Sequence, residues 1–399
     1  MNSNKFTLRE YEVAKEVLGL EDASATVAPH VELLEEDLCK YFGGGYAIAM
    51  NSGTSTLHSA LLALGIGEGD EVISPAFTVI MNTAVTLQIG ATPVFVDVLE
   101  DRYTMDPVDL ERKISPRTKA IQVVSVYGLS PEYDEIMLIA NKHGIPVIED
   151  NAECIGGTYR GKLVGNFGLF NSLSFEDTKH ISCFEGGALL TRCPWMAERA
   201  RKFAGHGFRT LSAASGKVRL NPEEWMSPDF ERHVVIGYNY RLTTLQAAIA
   251  RVQLSRLEDE LLFWRVKSGK EIESALQSTG LFELQYTPDY IKHSYWAVGA
   301  RFVGSKDLWF KFRNLLFEIS GERVFGAWQV PYNEPVIRDG IYKRISCFAN
   351  SEEISIKSIG SCPIAEKIQS QMMVFKTKYR NDEALNNLIN GIRNAAKKM

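Results

Sequence analysis

Between residues 46 and 191, short apolar runs alternate with longer stretches whose apolar positions recur at helical spacing. Residues 47–50, 71–74, 93–97, 120–125 and 146–149 read as strands, and 55–64, 80–88, 107–114 and 131–143 as the helices between them. This alternation predicts a mostly parallel sheet wrapped by helices. Turn signals fall where it needs them: Gly-Ile-Gly-Glu-Gly-Asp over 65–70, Gly90 to Pro93, and His143 to Pro146 each close a helix before a strand. Such sheets place ligands beyond the carboxyl ends of their strands, and Asp150 falls at one of those ends. Glu149, one residue earlier, points to the opposite face if the strand continues.

Beyond 191 the pattern changes. Residues 205–237 have the composition of a loop excursion, and 243–277 predict either one long helix or two abutting ones. A strand over 295–303 and a terminal helix over 383–398 complete the reading. The division expected is a large domain over 1–255 and a small α/β domain over 256–399. A chain of 399 residues suits that division better than a single core.

Charge and cysteine usage narrow the function classes. A net charge of −5 and a pI near 5.9 argue against a nucleic-acid or anionic-membrane surface. The six cysteines (Cys39, Cys154, Cys183, Cys193, Cys347 and Cys362) form no CxxC pair and no metal-ligand spacing. They predict a reducing compartment and no metal site. The N-terminus lacks the apolar stretch of a signal peptide, and no apolar run has membrane-spanning length. A soluble, cytoplasmic protein is expected.

The candidate chemistry centres on Lys179, ahead of Phe184-Glu-Gly-Gly187 and between two apolar runs, 169–175 and 184–191. A lysine so placed is expected inside a cleft, where its amine can hold an aldehyde cofactor as a Schiff base. Asp150 can keep a pyridine ring protonated. Asn51-Ser-Gly-Thr54, between a strand and a helix, offers free amides to a phosphate, although a plain helix cap has the same composition.

Taken in order, several segments resemble the DegT/DnrJ/EryC1/StrS sugar aminotransferases over about residues 31–257, with a weaker tail. They are Asn51 to Thr54, Gly67 to Val72, Gly90 to Asp97, Ile114 to Ile121, Ile148 to Glu153, the Lys179 segment, and Gly237 to Ala248. The resemblance implies a pyridoxal 5'-phosphate (PLP)-dependent transferase of fold type I: an α/β protein with a mainly parallel, seven-stranded sheet in the large domain and a smaller α/β C-terminal domain. It also implies a homodimer with shared active sites. Lys179 becomes the lysine that bonds the cofactor and shuttles a proton, and Asp150 the partner of the pyridinium nitrogen. Glu153 stands where Gln is common, beside the phenolic oxygen. Gly53, Thr54 and Ser174 match phosphate-binding positions, and Asn239 matches a residue that reaches the phosphate from the other subunit.

Three departures accompany the match: Val79 where an aromatic ring usually stacks on the cofactor, Phe184 where Gly is usual, and a carboxylate at 153 that repels a phenolate unless one of the two is protonated. Phe77, two residues before Val79, is an alternative ring contact. The reaction implied moves an amino group from glutamate to a keto sugar, nucleotide-linked, in ping-pong fashion. A related branch of 3-dehydratases has histidine in place of the lysine, so Lys179 favours transfer over elimination; a non-catalytic homologue is the third reading. His180, Arg241, His293 and Trp328 are the candidates for substrate contact, with packing or interface roles as the alternative for each. The segments 205–237 and 326–332 are the candidate substrate-facing elements.

Overall fold

The computed structural model describes residues 5–19, 29–216, 221–344 and 362–399. Of the features singled out above, residues 1–4, 217–220 of the excursion and Cys347 lie outside the described residues. In chain order the strands are β1 (Tyr46–Met50), β2 (Glu71–Pro75), β3 (Thr92–Val96), β4 (Thr118–Val124), β5 (Val147–Asp150), β6 (Thr158–Tyr159) and β7 (Lys162–Leu163). They continue with β8 (Phe170–Ser174), β9 (Gly187–Thr191), β10 (Phe282–Leu284), β11 (Ile291–Lys292), β12 (Ala297–Phe302) and β13 (Met372–Lys376).

The central sheet has seven strands in the order β1-β9-β8-β5-β4-β2-β3. Every pair from β8 to β3 is parallel, and only β9 runs against its neighbours, β1 and β8. Its strands are apolar and buried because helices cover both faces, as parallel sheets require. The helix Gly53–Leu64 shows how local signals set this pattern. Ser52 accepts from the Ser55 amide at 3.1 Å, and the helix ends at Gly65, whose φ of +76° suits a residue without Cβ.

A three-stranded antiparallel sheet, β10-β12-β13, forms the second layer system, packed against the helices Phe263–Gln277, Lys306–Ser320 and Asp382–Lys397. Its core gathers Ile272, Phe302, Phe312, Phe375, Leu385 and Ile392. Each such fully buried side chain contributes about 1.5–3 kcal/mol over its exposed state. β11 pairs back onto β6, joining this half to the first.

Residues 243–277 take the two-helix form: Thr244–Ser255 and Phe263–Gln277 are separated by a π-helical turn, Leu257–Leu262. The strand expected from 295 starts only at Ala297, because Tyr295 has a φ of +51° and leaves the extended region. The helix expected from Pro131 starts at Tyr133. The excursion contains a short helix, Pro222–Met226, and is tied back by bridges between Phe208 and His233 and between Gly205 and Asn239. The first helix, Leu8–Leu18, is capped by Thr7, and its buried Glu10 pairs with Arg256 and accepts from Gln253 Nε2 at 2.6 Å. No helix among the described residues is long and apolar enough to cross a membrane.

Candidate active site

β5 delivers two adjacent carboxylates to opposite faces. Glu149 accepts from the amides of Gly165, Phe167 and Gly168 at 2.7, 2.7 and 2.6 Å and so organises the turn before β8. Asp150 faces the other way, holding the Asn82 side-chain amide at 3.1 Å and the Ala152 amide at 3.2 Å. Burial pushes the Asp150 carboxyl up, opposed by those two hydrogen bonds and by the charge of Lys179. Both donors are neutral, so this buried acid favours a cation beside it.

Lys179 sits in the loop between β8 and β9, which is closed by hydrogen bonds from Phe175 to Gly186 (2.8 Å) and from Cys183 to Phe175 (3.0 Å). Its Nζ donates to Glu153 Oε1 at 3.2 Å and lies 4.3 Å from the Trp296 ring centroid. The other Glu153 oxygen accepts the Tyr127 amide at 2.9 Å. Burial raises the Glu153 carboxyl, with Lys179 the main opposing influence. Arg265 fixes the loop from behind: Nη2 donates to the carbonyls of Thr178 (2.8 Å) and Lys179 (3.2 Å), and Nη1 donates to those of Trp296 (2.9 Å) and to Thr377 Oγ1 (3.2 Å).

The turn after β1 serves as cap and cradle together. Ser52 and Ser55 satisfy each other, while the amides of Gly53 and Thr54, first in the helix, have no acceptor one turn back. A Cβ on Gly53 would lie 3.0 Å from the Ser174 Cβ, so glycine is what lets the end of β8 approach this helix. An aldehyde-bearing pyridine with a phosphate arm fits the donor set: an amine, a buried acid with only neutral donors, and amides beside a hydroxyl. PLP thus matches the residues present.

Lys179, Glu153 and Arg265 line a cleft of about 940 Å³ that runs from Val79 to Lys378 and Asn381; Asp150, Gly53, Thr54 and Ser174 stand behind its wall. Trp328 lines it and stacks on Tyr127 at 5.8 Å and on Trp296 at 6.0 Å between centroids. Phe77 does not take the ring position beside Val79; it turns into the core against Tyr103 and Tyr127.

Two residues expected to meet substrate are placed elsewhere. His180 is buried, with Nε2 2.9 Å from the Ser294 carbonyl, and His293 is buried, accepting the Tyr295 amide at 2.8 Å. Neither lines the cleft, and one nitrogen of each ring is already engaged by a backbone group. Arg241 and Asn239 are exposed on a segment whose Tyr240 carbonyl accepts the Asn51 amide at 2.8 Å, so they lie beside the phosphate turn and outside this cleft. A second cavity, about 700 Å³, opens at Ile66, Thr118 and Pro146, at the amino ends of the strands and away from this chemistry.

Sequence reasoning missed Asn82, Trp296, Arg265 and Lys5. Asn82 had a signal available: it lies in the helix that follows β2, where one turn reaches the carboxyl end of the sheet. The others become neighbours of Lys179 only through folding.

A sequence model described as the DegT/DnrJ/EryC1/StrS aminotransferase family matches residues 9–374. The chain is 37% identical over 256 residues to the UDP-2-acetamido-2-deoxy-3-oxo-D-glucuronate aminotransferase of Pseudomonas aeruginosa, covering 64% of this chain and 66% of that protein. It is 38% identical over 237 residues to the GDP-perosamine synthase of Caulobacter vibrioides, covering 59% of each. In both cases it matches less than two thirds of the relative's own length. Among solved structures, an aminotransferase from Psychrobacter cryohalolentis is similar with a TM-score of 0.84 and 25% identity, covering 100% of this chain and 99% of that one. DesV of S. venezuelae is similar with a TM-score of 0.81 and 27% identity, covering 98% and 95%.

Proposed function

The chain belongs to the DegT/DnrJ/EryC1/StrS aminotransferase family, and on that premise we propose that it moves an amino group from glutamate to a nucleotide-linked keto sugar with PLP as cofactor. The observation that carries this reading is the pairing of Lys179 with Glu153 in the cleft wall, with the charge of Lys179 also acting on the buried Asp150 and the close Gly53–Ser174 approach at the end of β8, the strand next to β5. The names of both curated relatives include a nucleoside-diphosphate-linked sugar or its nucleotide, which supports that substrate class.

Bound PLP supplies a carbonyl carbon that takes the amino group and a ring that accepts the electrons of a breaking C–H bond. Lys179 would hold that carbon through Nζ and, once released, carry the proton between the exchanging carbons. Asp150 would hold the proton on the ring nitrogen; a cation there lowers the raised Asp150 pKa and strengthens the pair. Gly53 and Thr54 would bind the phosphate through their amides, and Ser174 through its hydroxyl. Glu153, its carboxyl raised by burial, would donate to the phenolic oxygen in its protonated form, which removes the repulsion that a carboxylate there implies. Val79 would pack an aliphatic side chain on the ring, and Trp296 and Trp328 would exclude water from the substrate's flat faces.

A homodimer belongs to this proposal: Asn239 and Arg241, exposed on one chain, would complete a neighbouring copy's site. So does the division into domains at residues 255 and 256.

Borohydride reduction of the PLP-loaded protein followed by peptide mapping tests the assignment. Without glutamate the label is expected on Lys179; a separate sample given glutamate is expected to form 2-oxoglutarate and to lose that label. Label elsewhere, or no half-reaction with glutamate, would sink the reading. With candidate keto sugars, a nitrogen-containing product supports transfer, and a deoxy sugar without nitrogen supports elimination.

A further inference from the structure

The segment Lys5 to Thr7 is a pinned strap across the cleft. Thr7 caps the helix Leu8–Leu18, and the Lys5 carbonyl accepts from Gln253 Nε2 at 3.1 Å and Arg380 Nη1 at 3.5 Å. Between them the Phe6 ring stacks on Phe184, with centroids 4.7 Å apart and planes 20° from parallel. Phe184 holds a φ of +72°, a conformation that disfavours any side chain, and is otherwise 55% exposed. Among the described residues its ring stacks on Phe6. The strap carries the Lys5 amine into the cleft, where it donates to the Asp177 carbonyl.

There Lys5 joins Arg265, Lys376, Lys378 and Arg380. Besides the Lys179–Glu153 pair, those five cations share the cleft with three carboxylates, Glu176, Asp177 and Glu322. Glu176 is engaged by the Thr178 amide and hydroxyl at 2.9 and 2.6 Å, and Glu322 faces the Tyr379 hydroxyl. Arg265 donates only to uncharged oxygens. Burial, with the charges of Arg265 and Arg380, pushes the Lys5 amine down to about 7, against weaker support from Asp177 and Glu176. Among the described residues lining the cleft, the cluster is short of negative charge, while Glu10 and Glu260 act on Arg380 from outside it. Lys5, Lys376, Lys378 and Arg380 also lie outside the span matched by the family, residues 9–374.

We propose that Lys5 and Arg380, brought together by the strap, form the subsite that grips the diphosphate of the nucleotide-linked substrate. The inference rests on the aminotransferase reading above. One carboxylate is matched by one guanidinium, whereas a diphosphate spreads two or three charges over several donors. A cleft of about 940 Å³ is also larger than a five-carbon diacid fills, being near the upper end of ligand pockets.

Calorimetric titration of the PLP-loaded protein with UDP and GDP tests this, with uridine and guanosine as probes lacking the diphosphate and glutarate as the dicarboxylate probe. Lys5→Met and Arg380→Met are each expected to weaken the better-bound nucleoside diphosphate roughly tenfold. Affinities for the nucleosides and glutarate should be unchanged, and Lys5→Arg should retain wild-type binding. Unchanged nucleoside diphosphate affinity in Lys5→Met overturns the proposal. An equal loss for glutarate also overturns it and gives the cluster to the donor's carboxylate. If the wild-type protein converts glutamate to 2-oxoglutarate while Lys5→Met binds like wild type, this inference fails alone. A wild-type protein inert to glutamate and blind to both nucleotides removes it together with the aminotransferase reading.

Discussion

At the scale of single residues, the assignment turns on how buried charges are held. Asn82 donates to a buried carboxylate whose other hydrogen bond is a backbone amide. Removing a hydrogen bond to a charged group costs about 1.5–3 kcal/mol. Asn82→Ala is therefore expected to cut glutamate turnover about tenfold or more while leaving Lys179 able to bond PLP, as seen in the visible absorbance. Equal turnover in the two proteins would mean Asp150 needs no such support. Glu153→Gln replaces an ionisable neighbour of the phenolic oxygen with a neutral amide. With Glu153 protonated as proposed, both side chains are neutral donors, so the pH midpoint of the visible band is expected to stay put; a fall in Glu153→Gln would mean that a carboxylate stands there and raises its neighbour's pKa.

That Lys179, Asp150 and Glu153 come together was legible from their residue types and their order along the strands; the chemistry proposed for them rests on that placement. His180 and His293 were legible only as histidines; the His180 partner, Ser294, is distant in the chain, and the His293 partner, Tyr295, reaches it only through the local turn after β11. Lys5 and Trp296 carried no local signal, since their distance from Lys179 along the chain hides the contact.

At the scale of elements, the helix Gly53–Leu64 and the end of β8 meet across one missing Cβ. Gly53→Ala must move Ser174 or tilt the helix, and a loss of PLP affinity is expected, read by dialysis against PLP-free buffer. Stability of the β11 region should depend on acid. Burial lowers His293 to about 3, from an ordinary value of 6.5. Below pH 6.5 the unfolded chain binds the proton and the folded chain does not, so stability falls progressively as pH drops toward 3. The full shift corresponds to roughly 4–5 kcal/mol. His293→Gln is expected to flatten the denaturation midpoint between pH 6 and 4; an unchanged slope would rule this histidine out. The strand and helix alternation was readable throughout the first half because glycine turns and apolar runs agree there. The boundaries that moved, at Tyr133, Tyr295 and the π-turn Leu257–Leu262, are places where tertiary packing overrides local preference.

At the scale of the whole molecule, the excursion presents apolar side chains that a single chain leaves uncovered, among them Met226 at 76% and Ile236 at 92% exposure. Ile236 lies three residues before Asn239, so the surface proposed to cover it and the shared site are one region. Ile236→Asp is expected to halve the mass in solution, read by light scattering, and to weaken PLP retention with it. A monomeric variant that keeps PLP as tightly as wild type would separate assembly from the cofactor site.

Arg265 has a further consequence. One guanidinium ties the backbone of Thr178 and Lys179 to Trp296 and Thr377, at the margin of the C-terminal sheet. Any shear between the two halves of the molecule is transmitted straight to the lysine loop. On the proposed role of Lys179, the packing around β12 and β13 would act as its mount, and destabilising it should dim catalysis at temperatures well below those at which the protein melts.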